Sequence, residues 1–315
     1  MERRLLVLGE SVVEPGERKL IRFPVGHLAS GTRIYIHVNV NRSTRKGPTL
    51  LLIGGMHGDE INGTEIVRRA AKRYGTNSLE CGTLITIPLL NLYGFIHFTR
   101  DVSDGKDVNR SFPGSAKGSL ASRIANIIYK KILPEVDVIL DFHTGGGQRY
   151  NYPQIRYSKN ELACRTLADV FHAPFMLAAS LKPNSLRQYA QKLKIPTLAF
   201  EGGEATRFDG FSIEKGLQGI QFILQYLQMV PVTLEPLSPT QSLIEDTWVR
   251  APYSGIFIWQ RCSGVYINKG EILGSISDPD QTRVEYIKSK ISGYIIGHTN
   301  AAVVHVGDAL FHIGR

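Results

Sequence analysis

Three aliphatic runs in this chain stop abruptly at residues that can do chemistry. In "TLLLIGGMHGDE" (49–60) the run ends at Gly54 and Gly55, and His57 and Glu60 follow. In "VDVILDFHTGGG" (136–147) a second run passes through Asp141 to His143 and three glycines. In "IPTLAFEGGE" (195–204) a third ends at Glu201. Between the first two lies "FTRDVSDGKDVNRSFPG" (98–114), which carries Arg100, Asn109 and Arg110. Two imidazoles and one carboxylate gathered at strand ends make a three-donor zinc site with an open fourth position, and such a site renders water acidic enough to supply hydroxide at neutral pH. A nearby carboxylate left off the metal is a general base, and Glu201 is the candidate, with Glu204 as the competitor. A guanidinium can clamp a substrate carboxylate or stabilise an oxyanion, and Arg100, Asn109 and Arg110 supply that polarity.

Nine histidines and 28 acids in 315 residues yield about one His-x-x-acid pair by chance, so His57 and Glu60 need their context. The context is the end of a strand buried on both faces, where open α/β sheets build ligand sites. Glu60 falls three residues on, at the start of a helical pattern, so its carboxylate can converge with the imidazole. Asp141 lies two residues before His143 and hence on the same side of a strand. It, or a neighbouring carbonyl, can fix the tautomer of that imidazole from behind.

The elements that must position these groups follow from periodicity. "KLIRFPVGHL" and "TRIYIHVNV" alternate as half-exposed strands. Continuous aliphatic runs at 49–55, 82–91, 136–147 and 195–203 are buried strands. Helical spacing marks 60–75, 119–133, "ELACRTLADVFHA" and 212–230. Strands alternating with helices predict an α/β fold with a mixed, largely parallel sheet flanked by helices. The segment "VPVTLEPLSPTQS" then reads as a boundary, dividing a catalytic domain (1–235) from a C-terminal β domain (236–315). Within the latter, 254–276 echoes 292–314: Ser-Gly, a hydrophobic strand, a glycine turn and a closing strand. This duplicated unit predicts a small barrel or sandwich.

Composition sets the remaining bounds. The net charge of +9 is scattered, with no basic run of five, which points away from a nucleic-acid partner. No apolar stretch reaches the length of a membrane span. The apolar run at the start is too short for a signal peptide. Cys81, Cys164 and Cys262 are odd in number and far apart, so a reducing, cytoplasmic setting is expected.

The ordered set "GGMHGDE", "TRDVSDGKDVNRSFPG", "DFHTGG" and "FEGG" resembles the succinylglutamate desuccinylase/aspartoacylase family, within the broader zinc carboxypeptidase-like fold. The resemblance covers roughly residues 45–230. It implies one Zn²⁺ held by His57, Glu60 and His143, Glu201 as general base, Arg100 on the scissile carbonyl oxygen, and Asn109 with Arg110 on the substrate carboxylate. It implies a deacylase that cleaves the amide, or an ester, of a small carboxylated N-acyl amino acid. Manganese or cobalt would also suit the donor set. Related enzymes often add a pocket tyrosine; Tyr253, Tyr266, Tyr286 and Tyr294 are all available. The terminal repeat is similar to a lipoyl/biotinyl carrier barrel, but no lysine lies between Lys269 and Lys288, so a pocket-covering rather than carrier role is expected. Two other functions stay open: a metallocarboxypeptidase acting on peptides, and a catalytically silent zinc-containing binding protein. Oligomeric state is not legible, and a homo-oligomer remains open.

Overall fold

A computed structural model describes residues 5–76, 79–235 and 239–315. The chain begins with a small antiparallel pair, β1 (Leu6–Leu8) and β2 (Ser11–Val13), and a long hairpin, β3 (Arg18–His27) and β4 (Arg33–Arg42). Strand–helix alternation follows: β5 (Thr49–Ile53), α1 (Ile61–Thr76), β6 (Thr83–Ile87), α2 (Leu92–His97), α3 (Leu120–Ile127), β7 (Val138–Gly145), β8 (Arg149–Ser158), α4 (Leu162–Phe171), β9 (Phe175–Ala179), α5 (Leu186–Lys192), β10 (Thr197–Glu204) and α6 (Gly210–Tyr226). Strands alone follow: β11 (Gln241–Leu243), β12 (Asp246–Arg250), β13 (Gly255–Trp259), β14 (Tyr266–Ile267), β15 (Ile272–Ser277), β16 (Val284–Lys288), β17 (Gly293–Thr299), β18 (Val303–Val304) and β19 (Ala309–Gly314).

The main sheet runs β12-β19-β17-β8-β10-β7-β5-β6-β4-β3. Its centre, β10-β7-β5-β6, is parallel, and both flanks are antiparallel. β5 shows why a continuous aliphatic run belongs at such a centre. Alternate side chains enter opposite cores: Leu51 and Ile53 join the cluster with α3 and α5, while Leu50 and Leu52 join the one with α1, α4 and α6. Both faces of the strand are therefore dry, and after Thr49 every position is aliphatic. The expected helix over 119–133 is shorter. α3 stops at Ile127, and a wide turn (Ile128–Ile132) and a 3-10 turn (Leu133–Glu135) finish the segment. Pro134 cannot donate into a continuing helix. No helix among the described residues is long and apolar enough to cross a membrane.

The boundary expected at residues 235–236 touches 236–238, which lie outside the described residues. Beyond it, the strands divide between two sheets. β12, β17 and β19 extend the main sheet through β17–β8 pairing, and β16-β15-β13-β18 form a second sheet. Phe257, Leu273, Ile276, Phe311 and Ile313 pack between the two. The duplicated units appear here as β13-β14-β15 and β17-β18-β19, each closed by its own first and third strand. Their short middle strands are exchanged: β14 pairs β17, and β18 pairs β13.

Candidate active site

His57, Glu60 and His143 meet at the carboxyl ends of β5 and β7. Gly54 and Gly55 end β5, and Gly55 turns the chain at φ +59°. Gly58 then lies so close to the backbone of Gly94 that any side chain would collide with it. This close passage delivers His57 and Glu60 to the start of α1. His143 arrives on β7, whose register sets it beside Glu201 of β10. Nδ1 of His57 lies 2.7 Å from Glu60 Oε1, and Nδ1 of His143 lies 2.9 Å from Oε2. All three residues are buried, and their ligand atoms lie within 4.8 Å of one another.

The outward nitrogens of both rings are held as well. His143 Nε2 is 2.7 Å from Asp141 Oδ2, and His57 Nε2 is 3.3 Å from Asp107 Oδ1. Each imidazole thus faces a carboxylate on both sides. Burial works against a charge on His57, but Glu60 and Asp107 outweigh it and raise its pKa. Burial is likewise overcome at His143 by Asp141 and Glu60, and its pKa rises well above the ordinary value. Burial would raise the Glu60 carboxyl, yet the two imidazoles hold it far below the usual range. The donor set fits a single divalent cation: His57, Glu60 and His143 would hold it, and the outer carboxylates would keep the rings oriented. Asp141→Asn is expected to weaken cation affinity by roughly 10–100-fold; a competition titration with a chromophoric chelator checks this.

Arg100 stands against the same atoms. Its Nη1 is 3.2 Å from both Glu60 Oε1 and His57 Nδ1, and its Nε and Nη2 donate to Asp107 Oδ2 at 3.2 and 2.9 Å. Asp107 therefore grips both His57 and Arg100. Burial alone would raise its carboxyl, but these two partners hold it well below the ordinary range. Asn109 Oδ1 accepts from the Leu186 N–H at the start of α5, which leaves its amide NH₂ for the cavity. Arg110 is exposed at the rim, and its Nη1 donates to the Asn109 carbonyl. Glu201 Oε2 accepts from Asn151 Nδ2 at 2.9 Å, and Oε1 is 3.7 Å from Arg156 Nη1. Glu204 accepts instead from Asn300, and it does not line the cavity.

His57, Glu60, Arg100, Asn109, Arg110, His143 and Glu201 line one cavity of about 480 Å³. Ala199 lies between Asp141 and Arg156 in the sheet register and leaves space above the strands. Several residues in or beside the cavity escaped sequence reasoning. Asp107 is one of three acids in a polar loop, and nothing in its spacing sets it apart. Arg156 and Arg187 have arginines' usual surface appearance in sequence but line the cavity. Asp246, Trp248 and His312 come from the C-terminal strands. Trp248 and His312 are register partners and stack at 4.2 Å with 5° between planes, and His312 Nε2 is 2.6 Å from Asp246. None of the four candidate tyrosines lines the cavity. Tyr266 packs edge-on against Tyr294, Tyr253 donates to the Ile276 carbonyl, and Tyr286 faces outward. The aromatic wall is Trp248 instead.

Known proteins share this architecture. A profile of the succinylglutamate desuccinylase/aspartoacylase catalytic domain matches residues 46–227. The N-alpha-acetyl-L-2,4-diaminobutyric acid deacetylase of Halomonas elongata is 25% identical over 283 residues, covering 84% of this chain and 81% of that protein. The crystal structure of a succinylglutamate desuccinylase/aspartoacylase from Rhodobacter sphaeroides superposes with a TM-score of 0.84 at 25% identity, over 95% of each chain. A product-bound structure of the ectoine utilization protein EutE (DoeB) from Ruegeria pomeroyi shares the fold, with a TM-score of 0.85 at 21% identity over 100% of this chain and 99% of that one. With a profile that spans more than half its length and a fold shared end to end, the chain belongs to the succinylglutamate desuccinylase/aspartoacylase family of deacylases.

Proposed function

We propose that this protein is a zinc-dependent deacylase that hydrolyses the amide, or an ester, of a small N-acyl amino acid. The observation that carries the reading is the convergence of His57, Glu60 and His143 on one point, with both outer imidazole nitrogens held by carboxylates. A zinc ion held there supplies a Lewis acid for the scissile carbonyl and acidifies water. Arg100 directs a guanidinium at the same point and stabilises negative charge on the carbonyl oxygen. Asn109 and Arg110 take the substrate carboxylate at the rim. Glu201, oriented by Asn151, accepts the proton from water and delivers it to the departing amine.

The cavity supports a small substrate. A volume of about 480 Å³ accommodates an amino acid with a short acyl group. The C-terminal segment, read as a domain of residues 236–315, completes the catalytic part, residues 1–235, by walling the cavity with Trp248 and His312. The free cysteines support a reducing, cytoplasmic setting. A screen of N-acetyl and N-succinyl amino acids beside dipeptides, read by amine release from the zinc-loaded protein, tests the function. Turnover of dipeptides alone, or of nothing on the panel, rejects it.

Charge in the cavity narrows the screen. Arg187 Nη2 donates to the Ala179 carbonyl, while the buried Nε atoms of Arg187 and Arg156 have no partner. Burial and the Arg156 charge both hold the Arg187 pKa below its ordinary value. Two guanidiniums lining the same cavity suit an anionic group on the substrate. Arg187→Ala is expected to raise KM for acidic N-acyl substrates by about 10–100-fold, the equivalent of about 1.5–3 kcal/mol for a charge-assisted hydrogen bond. Steady-state kinetics on acidic and neutral N-acetyl amino acids check it: an equal effect on both rejects the assignment.

A further inference from the structure

The outer face of the second sheet is apolar and uncovered. Ile256 and Ile258 of β13, Val284 and Tyr286 of β16, and Val303 of β18 are all exposed. Cross-strand partners share a face, and the register makes two rows: Val303–Ile256–Ser277–Val284 and Ile258–Ser275–Tyr286. The face therefore has a particular relief. A ridge of isoleucines on β13 and a ridge of valine and tyrosine on β16 border a trough floored by Ser275 and Ser277 on β15. On the far side of the first ridge, β18 contributes two residues only.

We propose that this face seats a second copy of the chain across a two-fold axis running parallel to the strands, between β13 and β15. That axis lays β13 of each copy over β15 of the other, so each isoleucine ridge enters the partner's serine trough. It also lays β16 over β18, so bulky Tyr286 meets the shortest strand of the partner sheet. Relief of this kind is self-complementary, as a two-fold interface requires. Aligned sheets then pack at about 10 Å, with side chains interdigitated.

Charge favours a second copy over other occupants. The whole chain carries +9, yet residues 252–308 contain five basic and five acidic residues. Two copies can approach through this neutral segment without the repulsion that the rest of their surfaces would impose.

The test is the mass in solution of the full chain, by sedimentation equilibrium at high micromolar concentration, for wild type, Ile258→Glu and Ser275→Phe. Both substituted positions lie on the outer face and away from the cavity. The expected result is two chains for wild type and one for each variant, with unchanged circular dichroism and deacylase kcat/KM. Ser275→Phe separates the proposal from general stickiness: a larger apolar side chain strengthens non-specific association but fills the trough that the partner's ridge needs. A single-chain wild type assigns the face to a different protein and overturns the proposal. A dimer that survives Ile258→Glu, or that Ser275→Phe tightens, overturns it equally.

Discussion

Glu201→Gln is expected to lower kcat by roughly 10²–10⁴ while KM and bound zinc stay near wild type. The substitution keeps the shape of the side chain and removes only its ability to accept a proton. Glu201 makes no hydrogen bond to His57, Glu60 or His143, the three candidate metal donors; its polar partners are Asn151 and Arg156. Asn151 engages Oε2, which leaves Oε1 for the reacting water. A loss of metal in this variant would mean that Glu201 belongs to the donor set. Turnover close to wild type would remove proton transfer from its role. Measuring kcat and metal content on the same preparation distinguishes these outcomes.

Removing the metal, or the carboxylate that binds it, is expected to abolish turnover. Glu60 is the only donor that touches both imidazoles, and Thr144 N–H also donates to its Oε2 at 3.2 Å. Glu60→Gln replaces a charged ligand by a neutral amide, so activity falls by at least about 10³ and added zinc does not restore it. Wild-type protein stripped by chelator, by contrast, is expected to recover when zinc is returned. The dependence on pH has a definite sign. Both imidazole pKa values are raised in the metal-free site, so protons compete for the ligand nitrogens already above pH 6.5. Zinc affinity is complete at high pH and declines as pH falls through the raised imidazole values. Zinc affinity measured across this range checks the prediction: an affinity flat from neutral to mildly acid pH, or one that rises toward acid, contradicts the assignment of these nitrogens as ligands.

The parts of this site that can be read from sequence share one physical property. His57, Asp141, His143 and Glu201 each follow or end an unbroken aliphatic run, and a run that dry forces the next polar residue to be conspicuous. Asp107 has no such background; "DVSDGKD" offers three equivalent aspartates, and only the folded loop singles out the one that reaches His57 and Arg100. Arg156 sits on β8, "RYNYPQIRYS", where a proline and alternating polarity disguise a strand. That strand exists because β10, β17 and β9 pair along it, and such long-range pairing leaves little local trace. Trp248 and His312 lie 64 positions apart and meet only through β12–β19 pairing. The duplicated units were legible as a repeat, but the exchange of their middle strands was not, because either pairing satisfies the same alternation.

That exchange binds the two halves of the C-terminal region into a mutual dependency. Each half lends a strand and borrows one, so deleting either leaves the survivor with an empty seat and a homeless strand. A change that unseats one half therefore unseats the other.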